Sequence, residues 1–104
     1  MTKVVVDAGI CGFKAKFEVD KLSNRRVSVA LSSECEMISR LAEKIKELDW
    51  QDTLKARDDS ALFRAVLQYV KHIACPVPVA IIKAIEVEVG LALPKDVTIH
   101  FDAT

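Results

Sequence analysis

The spacing of apolar residues changes at Ser33, and this change limits the possible folds more than any other feature of the chain. Before it, Phe13, Ala15, Phe17 and Val19 alternate with Lys14, Lys16, Glu18 and Asp20, and Val27, Val29 and Leu31 alternate with Arg26 and Ser28. A two-residue period describes strands that bury one face only. The polar segment from Asp20 to Arg25, with Ser23-Asn24, reads as a hairpin connection. With Val4-Val5-Val6 these runs make three strands, most simply an antiparallel meander.

After Ser33 the period is helical. Ile38, Leu41, Ala42, Ile45 and Leu48 follow the i, i+3, i+4, i+7 rule, and Ser33-Glu34-Cys35-Glu36 reads as a capping box with Ser33 as N-cap. Asp49 to Asp59 is polar and reads as a loop containing Trp50, which is best explained by packing. A second helix is expected from about Ser60 to His72, with Leu62, Phe63, Val66, Leu67 and Val70 inward. A third is expected to follow Pro76 and run to about Val89. Its apolar side carries Ile81, Ile82, Ile85 and Val89, and Gly90 is placed for its C-cap. Val97-Thr98-Ile99-His100-Phe101 alternates again and predicts a fourth strand. The expected architecture is α+β, in the order βββαααβ: a three-stranded antiparallel sheet plus a C-terminal strand, covered on one face by three helices.

Composition narrows the function. A chain of 104 residues, 51% hydrophobic and 29% charged, suits a single folded domain over residues 1–104. Its 15 basic and 15 acidic residues cancel, so no net field favours nucleic acid or an anionic membrane. The longest apolar run, Ile73 to Ile82, has ten residues and two prolines, whereas a membrane span needs about 20. The N-terminal residues show no signal-peptide pattern, so the expected location is the reducing cytoplasm, where the three cysteines are thiols.

Each cysteine falls at a junction between elements. Cys11 lies in the turn Ala8-Gly9-Ile10-Cys11-Gly12, Cys35 in the first turn of the first helix, and Cys75 before Pro76 at the start of the third. Helix N-termini favour thiolate over thiol, which predicts lowered thiol pKa values. If the three junctions meet, Cys11, Cys35 and Cys75 form a site for zinc or an iron–sulfur cluster. His72, three residues before Cys75, and Asp7, near Cys11, are candidate fourth ligands, and Glu36 adjoins Cys35. The competing readings are metal-free thiol chemistry (a persulfide carrier or redox switch) and a small interaction module whose cysteines only pack. No phosphate loop or nucleophile elbow is present, and no sequence feature supports an enzymatic reaction.

The placement of Cys11-Gly12, Cys35 and Cys75, at intervals of 24 and 40 residues, resembles the iron–sulfur cluster assembly scaffold family, IscU and the N-terminal domain of NifU. The resemblance spans roughly residues 3 to 90. It implies a three-stranded sheet with helices on one face, cluster or metal binding by the three cysteines, and a sulfur- or cluster-transfer partner. The chain departs from the family at Phe13, where the family has an aspartate, and at Ala74, where it has a histidine. It also lacks the Leu-Pro-Pro-Val-Lys segment that binds the family's chaperone, and it is expected to continue into an extra C-terminal strand. These departures describe a divergent relative rather than the scaffold itself.

Overall fold

The computed structural model describes residues 1–103. β1 (Thr2–Asp7), β2 (Lys14–Lys21) and β3 (Arg26–Ser33) form the expected antiparallel meander. A helix, α1 (Glu36–Lys44), then leads into a short strand, β4 (Glu47–Asp49), which pairs with Arg26–Ser28. Among the described residues this completes one four-stranded sheet in the order β1-β2-β3-β4. Three helices follow: a single turn, α2 (Trp50–Thr53), then α3 (Ala61–Tyr69) and α4 (Val77–Glu88).

The alternation decides which face is covered. Ala15, Phe17, Val19, Val27 and Val29 are buried, while Lys14, Lys16 and Arg26 between them are exposed. α1 packs over β3 and α4 over β1 and β2. Ile38 and Leu41 of α1, Leu62 of α3, and Ile81, Ala84 and Ile85 of α4 close the core from above. At roughly 1.5–3 kcal/mol for each large apolar side chain taken from water, this layer is the main source of stability.

The expected order βββαααβ is corrected at its end. The fourth strand is Glu47–Asp49, and Val97–Phe101 forms no strand, because no strand lies beside it to accept its backbone bonds. Leu48, read as a helical position, is buried from β4 instead. The chain is held there by Asp49, whose carboxylate pairs with Arg25 at 2.8 Å and accepts the N–H groups of Gln51 and Asp52 as N-cap of α2. The expected loop from Asp49 to Asp59 is therefore partly ordered. Trp50 donates its indole N–H to the Asn24 carbonyl at 2.8 Å, so its role is to pin the β2–β3 turn.

The helix limits also shift. Ser33 is the last residue of β3 and not an N-cap: its hydroxyl donates to the Lys14 carbonyl across the sheet and accepts from the Cys35 N–H. The N-cap of α1 is Cys35. α3 stops at Tyr69, and Leu67, expected inward, is 74% exposed because the helix turns that side to solvent. α4 starts at Val77, with Pro76 as its N-cap. It ends in a Schellman motif in which the N–H groups of Leu91 and Gly90 reach the carbonyls of Glu86 and Val87, with Gly90 at φ +83°.

Glu88 ties the end of α4 to one end of the sheet. Its carboxylate accepts bonds from the Met1 ammonium at 3.1 Å, the Thr2 hydroxyl at 2.7 Å and the Lys21 N–H at 2.9 Å. Burial alone would push this carboxyl up, but the bonds together outweigh it and hold the group below its ordinary range. The Glu88 hydrogen bond in turn raises the Met1 ammonium.

A lowered carboxyl stabilises the fold above its unfolded pKa, about 4.3, and loses that contribution as the pH falls through the folded value. A raised ammonium contributes below its unfolded pKa, about 7.7–8.0, and loses the contribution as the pH rises through the folded value. Glu88→Gln is therefore expected to lower Tm by several degrees between about pH 5 and 7.5, with the gap to the parent narrowing on both sides of that window. Thermal melts of both chains across pH 3 to 10 check this; a pH-independent gap would contradict it.

Candidate functional site

The polarity of the elements brings the three cysteines to one end of the sheet. Asp7 ends β1 opposite Lys14, which begins β2, and Ser33 ends β3 opposite Ala15. The β1–β2 turn with Cys11 and the β3–α1 junction with Cys35 therefore share an end. Glu88 fixes the last turn of α4 at the opposite end, beside Thr2 and Lys21. Its 12 residues run about 18 Å, close to the length of the six-residue β1. The start of α4, and Cys75 with it, comes back to the end that carries the other two cysteines. A backbone bond from Lys71 to the Met37 sulfur at 3.4 Å holds the segment before α4 against the first turn of α1.

The three thiols differ in setting. Cys11 is exposed, in a one-turn 3-10 helix (Gly9–Cys11) that Gly12 closes at φ +77°. Cys35 and Cys75 are half-buried at the rim of the core. No disulfide joins them; all three are free thiols. Burial pushes the Cys75 thiol up, the charges of Cys35 and then Cys11 add to that rise, and a hydrogen bond from the Val77 N–H opposes it. The expectation that a helix N-terminus lowers its pKa is corrected: Cys75 lies one residue outside the cap, where desolvation outweighs the backbone donor.

The candidate fourth ligands stand around this group. His72 is exposed, and its carbonyl accepts the Cys75 N–H at 3.3 Å. Asp7 is exposed, and its carboxylate accepts the Gly9 N–H at 3.1 Å, which shapes the Cys11 turn. Glu36 pairs with Arg40 one turn along α1. Among the described residues, no three His, Cys, Asp or Glu side chains are clustered tightly enough to hold a metal ion as they stand. A surface depression of about 450 Å³ between β3 and α1, lined by Leu31, Ala42 and Lys46 among others, contains none of the thiols.

Sequence reasoning passed over Glu88, which ties the last turn of α4 to one end of the sheet. A signal was present: an acidic residue in the last turn of a helix opposes the helix dipole, so it needs a partner of its own.

Residues 2–101 match a family model described as a family of unknown function, DUF6951. No curated protein and no solved structure matches the chain significantly. No helix among the described residues is long and apolar enough to cross a membrane.

The electrostatic link among the thiols has a direct readout. In reduced, metal-free protein, Cys75 is expected to alkylate more slowly than Cys11 at pH 8. Its apparent pKa should fall in Cys35→Ser and by a smaller amount in Cys11→Ser, since Cys35 exerts the larger effect. Alkylation rates against pH, read by peptide mass spectrometry, check this; a Cys75 titration unmoved in both variants would contradict it.

Proposed function

We propose, for a chain that belongs to the DUF6951 family, that Cys11, Cys35 and Cys75 form a thiolate site for a thiophilic metal, either zinc or an iron–sulfur cluster. The observation that carries the reading is that the junctions bearing Cys11, Cys35 and Cys75 lie at one end of the sheet. Three soft sulfur donors suit zinc or iron–sulfur chemistry and do not suit magnesium or calcium. Three thiolates at one end of a sheet repel one another, and a bound cation relieves that repulsion by holding each thiol deprotonated.

Cys11 lies on the part of the site best able to adjust. Neither Gly9 nor Gly12 has a neighbour within 4 Å of where a Cβ would sit, so the space around the turn is open to a bound group. His72 and Asp7 are the fourth-ligand candidates on either flank. The reading includes a reducing cytoplasmic setting and a sulfur- or cluster-transfer protein as partner.

A second reading rests on the full exposure of Cys11 at the tip of its turn. An accessible thiol there would suit persulfide carriage or redox pairing without metal.

Metal and acid-labile sulfide analysis of protein purified without oxygen separates the two. The first reading predicts stoichiometric zinc, or iron with sulfide, and loss of that stoichiometry in each of Cys11→Ser, Cys35→Ser and Cys75→Ser. Full stoichiometry in all three variants, or protein that stays metal-free after reconstitution, would overturn it.

A further inference from the structure

We propose that the C-terminal segment Val97–Phe101 adds as a strand to the free edge of β1 in a second copy of this chain, so that two chains exchange tails in a symmetric dimer. The segment alternates Val97, Ile99 and Phe101 with Thr98 and His100, the pattern of a strand with one face to bury. In the single chain that face is covered by nothing: Ile99 is 79% and Phe101 89% exposed, and Leu91 and Leu93 before them are exposed as well. The tail belongs to the family unit, since the family match runs through residue 101.

The sheet offers one suitable acceptor. β1 is six residues long, contains no proline and, among the described residues, pairs only with β2. Val4 and Val6 face the helix layer half-buried and Val5 lies exposed on the other face, so β1 lacks most of the features that protect an edge from pairing. On the opposite side β4 has only three residues, and the stretch of β3 beyond it is already engaged, with the Val29 N–H donating to the Lys46 carbonyl and the Ser33 carbonyl accepting from the Ser39 hydroxyl. α4 lies over β1, so the inward side chains of an added strand would extend the existing core.

The path of the chain favours a second copy over the chain's own edge. α4 ends beside Thr2, so the tail departs from the start of β1. Pairing there directly would be parallel, the less stable arrangement. An antiparallel return would use up the whole reach of residues 91–96, about 20 Å, in running the length of β1, leaving none to make the turn back. Among the described residues the tail instead pairs with no strand of its own chain, and its apolar side chains stay exposed. Val97, Ile99 and Phe101 of each tail, at roughly 100–200 Å² each, together with the β1 surface they cover, give a reciprocal exchange on the order of 1,000–2,000 Å², the size of a stable interface. Such an exchange is isologous and closes on itself.

Sedimentation equilibrium under reducing conditions tests the proposal independently of any metal. The full chain should have twice the monomer mass, whereas Ile99→Asp and a chain ending at Leu93 should be monomers that still melt cooperatively. Hydrogen exchange at the β1 amides should quicken at least tenfold in both variants. A monomeric full chain, a dimer that survives in either variant, or β1 exchange that is unchanged when the dimer is lost would overturn the proposal.

Discussion

The arrangement of this molecule depends on one carboxylate. Glu88 stands in the last turn of α4, where the helix dipole disfavours a negative charge, and it is held by the Met1 ammonium, the Thr2 hydroxyl and the Lys21 N–H. These partners belong to the start of β1 and the end of β2. Core packing of Val77, Ile81, Ala84 and Ile85 seats α4 on the sheet, and the carboxylate ties its last turn to that end. With the end of α4 fixed, its start lies over the far end of the sheet, where the chain also makes the β1–β2 turn and leaves β3 for α1.

The placement of the three cysteine-bearing junctions at one end of the sheet follows from that anchoring. None is positioned by the core alone. Cys11 sits on an exposed turn, Cys35 caps α1, and Cys75 precedes the proline that caps α4. Their mutual influence is unfavourable in the bare protein, where burial and the neighbouring thiols push Cys75 up. Three soft sulfur donors carried by separate junctions at one end of the sheet suit a thiophilic cation, and this is the physical basis for the metal-site reading.

Much of the fold could be read from the residues because its signals are local. The alternation through Phe17 and Val29 set the buried face, and Gly90 marked the end of α4. What could not be read depends on distant partners. Glu47–Asp49 is too short to show a period, and it becomes a strand because Arg26–Ser28 lies open beside it and Asp49 pairs with Arg25. Val97–Phe101 carries a clear strand pattern, but a strand also needs a neighbour, which the single chain does not supply. Ser33 looked like a cap because the residue type is right, yet its hydroxyl is engaged across the sheet with Lys14. At the site, the three junctions were visible in the sequence. The desolvation that raises Cys75 was not, because burial depends on the packed whole.

X-ray absorption at the zinc edge, on protein loaded with one zinc ion per chain, tests the convergence of the thiols most directly. The account predicts a first shell containing three sulfur atoms at about 2.3 Å. A shell of nitrogen and oxygen alone, or one with a single sulfur, would contradict it.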